Sequence, residues 1–270
     1  MTEKKIVLVI AYDGTYFHGS QFQEGLRTVQ GELEQAIDKV FGLTSRLELA
    51  SRTDSGVHAE GQVATFLTNN DMENISNITG AINAHIGEDI RIVYANEITN
   101  NYKMFNPRID ARSRKYVYTF TDSEVLLPRY RNYVQHVKGS LDDQLMNCAA
   151  SFLIGSHDFK AFAGPSVKKG NSTRRIVSES FVVRDSNFVI FTIVANAFLH
   201  QQIRRISSLL MQIGLGKKTP EDVKYYLASK IRGEFVQVSK AKGLCLKTVK
   251  YNHNWSSIFR THPSLLDSKI

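Results

Sequence analysis

Two hydrophobic periodicities alternate along this chain, and they follow a similar order in each half. Lys5–Tyr12 is an apolar, β-branched run ending at Asp13-Gly14, the pattern of a strand entering a turn. From Val29 the spacing becomes helical. Val29, Leu33, Ala36, Ile37 and Val40 share one face up to about Phe41, with Thr28 placed as the N-cap. A short strand in "LELASRTD", a half-buried strand in "GQVATFLT" (61–68), a helix near Ile75–His85 and a strand in "DIRIVYANEI" (89–98) complete the first half.

The second half opens with "RKYVYTFT" (114–121) as a strand. "LDDQLMNCAASFLIG" (141–155) reads as a helix with Leu145, Cys148, Ala149 and Phe152 on its apolar face. "RIVSESFVV" and "NFVIFTIVANAF" make a strand pair turning at "RDSN". The strongest stripe lies in "FLHQQIRRISSLLMQIG" (198–214), where Leu199, Ile203, Ile206, Leu210 and Ile213 recur at helical spacing. "TPEDVKYYLAS" carries Thr219 as a cap and Pro220 at the first helical position, and "GLCLKTVKY" is a final strand. Interleaved strands and helices with consecutive strand pairs predict an α+β protein of two sheet-plus-helix lobes. The boundary is expected near Asn106–Arg108, giving lobes of residues 1–107 and 108–252 and an aperiodic tail over 253–270.

Charge divides at the same place. Residues 1–107 carry 8 Lys/Arg against 14 Asp/Glu, while residues 108–270 carry 26 against 12, within a net charge of +8. The cations cluster in "RSRK" (112–115), "VKKGNSTRR" (167–175) and "QIRR" (202–205). One cluster alone is an ordinary solvated surface; three in one half favour a phosphate-bearing partner. The two cysteines, Cys148 and Cys245, form neither a disulfide framework nor a metal-ligand spacing, so a reducing, cytoplasmic setting and no metal are expected. The sequence has no apolar stretch long enough for a membrane span, and its N-terminus reads as a first strand, not a signal peptide.

The chemistry-bearing stretch is "SRTDSGVHAEGQVATF" (51–66), which sets one carboxylate, Asp54, in a loop between two strands. An Asp before Ser-Gly is ordinarily a turn residue capping nearby N–H groups. Arg52, two positions earlier, adds a cation that keeps a carboxylate ionised, and a positioned carboxylate serves as nucleophile or as base. Paired acids, a Gly-rich phosphate cradle and metal-ligand motifs do not accompany it, so any chemistry rests on a single acid. The loop "GTYFHGSQFQEGLR" (14–27) offers aromatics, His and Gln of the kind that stack on bases or bond to their edges.

With those segments in view, the chain resembles the TruA family of tRNA pseudouridine synthases. The resemblance rests on "RTDSGVHA" (52–59), "YDGTYFHGSQ" with "RTVQGELE", "GSHDFKAF" (155–162), "TRRI" (173–176) and "NAFLHQQIRR" (196–205), in that family's order, and covers roughly residues 5–250. It implies two ferredoxin-like (RRM-like) lobes sharing a large mixed, mostly antiparallel sheet, with the active-site cleft between them. It implies isomerisation of uridine to pseudouridine in tRNA, in the anticodon stem-loop, by base flipping, with no cofactor. It casts Asp54 as the catalytic aspartate, Arg52 as its motif partner, Tyr116 as the ring against the target base and Arg204 as the cation approaching from a helix. RNA contacts are expected from Tyr16, His18, Gln21, Lys115, Lys168, Lys169, Arg174, Arg175 and Arg205. A homodimer in the cytoplasm is implied as well. Two residues depart from the pattern: Ser51 where glycine is common, and Ser20 where tryptophan is common, the latter expected to bear on RNA contact more than on chemistry. The competing reading is a non-catalytic tRNA-binding chaperone. A glycosidase or nuclease ranks last for want of paired acids or metal ligands.

Overall fold

The computed structural model describes residues 3–42, 46–69, 76–98, 104–167, 170, 172–255 and 258–259. Among them are ten strands and five α-helices in mixed order, an α+β architecture. Two compact units form, Met1–Ser113 with Leu246–Ile270, and Arg114–Cys245. The divisions therefore fall inside two strands, and the final strand, grouped by the sequence pattern with the second lobe, lies mostly in the first unit.

In the first unit, β1 (Lys4–Tyr12) pairs antiparallel with both β3 (His58–Thr68) and β4 (Ile90–Ile98), and β2 (Glu48–Leu49) pairs with β3. β10 (Leu244–Tyr251) follows β3 in the sheet. Ile6–Ile10 are all buried, so both faces of β1 are covered and its sequence reads as a continuous apolar run. Helix α1 spans Val29–Phe41 as its periodicity predicts. The Thr28 side chain accepts from Gly31 N at its start, and Gly42 in the left-handed region (φ 64°) ends it. Helix α2 (Ser76–Asn83) docks on β4, where the Asn83 side chain donates to Ile92 O (2.9 Å) and accepts from Ile92 N (2.8 Å).

The expected tail begins differently. A 3-10 turn at His253–Trp255 follows β10, and Ile258 and Phe259 are buried. Phe259 stacks on Tyr251 with centroids 5.1 Å apart, Phe105 meets Trp255 edge-on at 5.0 Å, and Ile258 O accepts from Tyr94 Oη and Asn96 Nδ2. Apolar residues too sparse for a periodic signal are thus held by aromatic partners from distant parts of the chain.

In the second unit the order is β5 (Ala111–Thr121), β9 (Phe188–Ala195), β8 (Arg174–Asp185), β7 (Gly155–Asp158), with antiparallel pairing between these neighbours. β6 (Gln135–His136) pairs parallel with β5 and makes the sheet mixed. The β8–β9 hairpin turns at Ser186-Asn187, as the "RDSN" signal predicts, with Ser186 at φ 51°. Helix α3 (Asp143–Ser151) forms, but its buried face is Met146, Ala149 and Ala150, continued by Leu153. Cys148 is exposed and Leu145 is 42% exposed, which corrects the expected stripe by about one residue around the helix. The α4 stripe is buried throughout, yet the helix runs Gln202–Gly214, not from Phe198. Gln201 sits at φ 59°, which no α-helix continues through; before it Asn196 and His200 bond to Ile176 and Gly164, while Leu199 N donates to Gln202 Oε1 at the helix start. Helix α5 (Glu221–Ala228) begins after Pro220, and Asp222 accepts from Thr219 N at 2.8 Å.

Candidate active site

The loop between β2 and β3 presents Asp54. The last ladder bond before it is Ala50 N to Val63 O, 2.8 Å. Beyond that point the Gln62 side chain takes over: Oε1 accepts from Ser51 N (3.1 Å), and Nε2 donates to Ser51 O (2.7 Å). Two residues on, Thr53 N donates to Ser20 Oγ (2.8 Å), Ser20 N donates to Thr53 O (3.1 Å), and Thr53 Oγ1 shares a 2.8 Å hydrogen bond with Tyr12 Oη. Asp54 then opens a four-residue turn closed by Val57 N to Asp54 O at 3.1 Å, with Gly56 at φ 78° supplying the left-handed position. Ser55 Oγ and Gly56 N both donate to Phe17 O.

The turn reading of "DSG" is therefore correct for the backbone, and it serves to mount the loop. Thr53 is buried, Asp54 half-buried and Arg52 exposed. Gly19 (φ 96°) makes the mounting possible, since a Cβ there would lie 2.9 Å from Thr53 O. Arg108 brings a second cation to this neighbourhood. Desolvation first, and then the charge of Arg52, lower its pKa from the usual guanidinium range. The "YDGTYFHGSQ" and "RTDSGVHA" segments are thus in direct contact: Gly14 N also donates to His58 Nδ1 at 3.0 Å. Tyr16 (68% exposed), His18 and Gln21 lie on the surface of the 14–27 loop, whereas Phe17 is buried under the Arg27 guanidinium. Arg27 is fixed in turn by a bidentate bond to Asp89 (2.6 and 3.0 Å).

In the second unit Tyr116 lies on β5 with its ring buried, sharing the face of Arg114, Tyr118 and Phe120, and meets Phe198 edge-on at 5.3 Å. Lys115 is half-buried on the alternate face. Arg204 stands in the first turn of α4. Its Nε donates to Ser239 O (2.9 Å) while Ser239 N donates to Arg204 O (3.1 Å), and its charge reaches Tyr118, whose phenol burial pushes up in pKa. The remaining motifs of this half converge. "GSHDFKAF" and "TRRI" pair as β7 and β8, with Asp158 Oδ1 accepting from Thr173 Oγ1 and Lys160 N. Asn196 bonds to Ile176 through both backbone and side chain, and Gly164 N donates to His200 O.

Of the expected RNA contacts, Arg174 is exposed and Arg175 half-buried, with its pKa lowered by burial. Lys168 and Lys169 lie outside the described residues. Arg205 is corrected: it is 7% exposed, and its Nη1 donates to Phe235 O, so it braces α4 internally. Ser20 is corrected in location. It is fully buried and bonded to Thr53, next to Asp54, not on the surface of its loop.

A tRNA pseudouridine synthase family model matches residues 8–104 and 149–252, in both units; Arg108 and the β5 residues Lys115 and Tyr116 lie between the two matched stretches. The chain belongs to the tRNA pseudouridine synthase family. It is 37% identical over 252 residues to a tRNA pseudouridine synthase A of Thermosipho melanesiensis, covering 92% of this chain and all of that protein. The same enzyme of Clostridium kluyveri matches at 37% over 251 residues, with 92% of this chain and all of the relative covered. That of Francisella tularensis subsp. tularensis matches at 34% over 248 residues, covering 92% and 94% respectively. The family match thus takes in the Asp54 loop, the β7–β8 pair and α4 together.

Proposed function

We propose that this chain isomerises uridine to pseudouridine in tRNA, with Asp54 as the acting carboxylate. The observation that carries the reading is family membership across both units, joined to a loop whose backbone is bonded on both sides of Asp54. The conversion breaks the C1′–N1 bond, turns the base and rejoins it through C5. Atoms and electrons balance within the nucleotide, so no external group is consumed. Asp54 either adds covalently to the nucleotide or takes a ribose proton to give a glycal. Arg52 and Arg108 supply positive charge beside the loop, suited to a phosphate of the target nucleotide. Tyr116 is assigned the face against the freed base, and Arg204 a contact to the target nucleotide.

The target uridine lies in the anticodon stem-loop in this reading, where unstacking costs least, a few kcal/mol. Each unit is read as a ferredoxin-like lobe. The first unit's strand order β4-β1-β3, with α1 between β1 and β3 and α2 between β3 and β4, supports this. Assembly as a homodimer and a cytoplasmic setting belong to the same proposal, and light scattering of the pure protein tests the former.

Pseudouridine mapping on unmodified tRNA transcripts, with no cofactor added, tests the reaction. Wild-type protein is expected to introduce pseudouridine in the anticodon arm. Asp54→Asn should lower turnover by roughly 10³-fold or more while tRNA affinity stays within about threefold. Substantial turnover by Asp54→Asn would overturn the assignment of the carboxylate. Tight tRNA binding with no modification by either protein would leave the chaperone reading in its place.

A further inference from the structure

We infer that Gln62, Ser20 and Tyr12 form a buried polar clamp that sets the pose of Asp54, acting as positioning residues for the reaction. The inference rests on the reading of Asp54 given above. Gln62 and Ser20 are fully buried and Tyr12 is 5% exposed, so each polar atom must find a partner inside the protein. All three direct bonds to the same short segment. Gln62 holds both backbone groups of Ser51, and its Oε1 also accepts from Val63 N at 3.2 Å. Ser20 holds Thr53 N through its side chain and Thr53 O through its own N–H, while Tyr12 holds the Thr53 hydroxyl.

A tight turn alone leaves the approach to Asp54 free to hinge. Fixing residues 51 and 53 from the protein side removes that freedom on both sides of Arg52 and immediately before Asp54. The clamp also gives the Ser20 departure a physical meaning. A small hydroxyl residue at that position reaches Thr53 N at 2.8 Å, a bond that an indole, which is donor only, could not accept. A misplacement of about 1 Å in a reacting group can cost on the order of 10²-fold in rate, so the clamp should be read out in turnover more than in binding.

Gln62→Met keeps an unbranched side chain of similar length and removes all three Gln62 bonds; Ser20→Ala and Tyr12→Phe each remove bonds with little change in shape. Gln62→Met and Ser20→Ala should each lower kcat for pseudouridine formation about 10- to 100-fold, with KM for tRNA changed less than about threefold. Asn83→Leu serves as the comparison, because Asn83 bridges both backbone groups of Ile92 in the same unit without touching the Asp54 loop. It should lower the melting temperature comparably and leave kcat within about twofold. On an Asp54→Glu background, where the carboxylate is already displaced, Ser20→Ala should cost a smaller factor than on wild type.

Wild-type kcat in Gln62→Met and Ser20→Ala, beside an inactive Asp54→Asn, would overturn the clamp alone. An equal kcat loss in Asn83→Leu would reduce it to general stability. An active Asp54→Asn would overturn the reading of the carboxylate and the clamp with it. If Gln62→Met does not fold, Ser20→Ala and Tyr12→Phe carry the same comparison.

Discussion

Desolvation first, and then the like charge of Arg52, disfavour the ionised form of Arg108. Repulsion of that kind is relieved when an anion arrives between or beside the two groups, as a phosphate would on the proposed reading. Arg108→Gln should therefore weaken tRNA binding about 3- to 10-fold and reduce the salt dependence of log Kd by roughly one contact. Fluorescence anisotropy with labelled tRNA over a salt series checks both numbers. An unchanged Kd would mean that Arg108 spends its charge within the protein. Arg52 and Asp54 are visible in the sequence while their supports are not. A D-S-G turn is a local signal, whereas Ser20 reaches Thr53 across 33 positions and Gln62 reaches Ser51 across 11. Gln62 did leave one trace: it is a polar residue on the same strand parity as Ala64 and Phe66, both buried.

At the level of elements, one arginine ties three pieces of the second unit. Arg184, near the end of β8, donates to Asp122 just past β5 (two bonds at 3.0 Å), to Asp143 in the first turn of α3 (2.8 Å) and to Leu141 O (2.6 Å). Hydrogen bonding from Arg184 holds the Asp122 carboxyl below the usual carboxylate range, with Leu141 N and the Arg184 charge adding to it against the opposing effect of burial. A carboxylate whose folded pKa is depressed contributes stability that is present above its unfolded value, about 3.9, and is lost as pH falls through the folded one. Asp122→Asn should thus cost about 1–3 kcal/mol at pH 7, and the gap to wild type should narrow once pH falls below the unfolded value of about 3.9. Urea midpoints at the two pH values measure it; a gap independent of pH would assign the loss to packing. Elements like α1, bounded by Thr28 and Gly42, carry their limits in their own residues and were legible to the residue. The start of α4 was not, because the left-handed turn at Gln201 and the bonds of Asn196 to Ile176 and of His200 to Gly164 interrupt a pattern that reads as continuous helix. The face of α3 was misread by a step since Leu145 and Cys148 and the truly buried Met146, Ala149 and Ala150 form adjacent stripes that apolarity alone does not rank. Phe259 is held by Phe105 and Tyr251, partners with no local signature.

Over the whole molecule, the fold softens the charge asymmetry read along the chain, because Arg108, Arg112 and the C-terminal cations join the first unit. The second unit, Arg114–Cys245, holds 20 of the 34 Lys/Arg against 10 Asp/Glu, so that unit alone has a net charge of +10. The first unit, with Leu246–Ile270 included, has 14 against 16 and sits near neutrality at −2. A nucleic acid meeting this protein should accordingly gain most of its sequence-independent affinity from the second unit, while the near-neutral unit carrying Asp54 contributes selectivity at the reacting nucleotide. Phosphate contacts made by Lys and Arg release condensed counterions, and their number sets the slope of log K against log salt. If about five such contacts form, raising salt from about 50 to 200 mM should weaken tRNA binding on the order of 10²-fold. Reversing the exposed cation Arg174 to Glu should flatten that slope and weaken binding of any tRNA by a similar factor, with the single-turnover rate at saturation little changed. Arg205→Gln provides the contrast: being buried against Phe235 O, it should lower thermal stability and leave the salt slope intact. Parallel salt titrations of wild type and the two variants separate surface charge from internal bracing. A slope near zero for the wild-type protein would remove polyanion binding as the reason for the charge asymmetry.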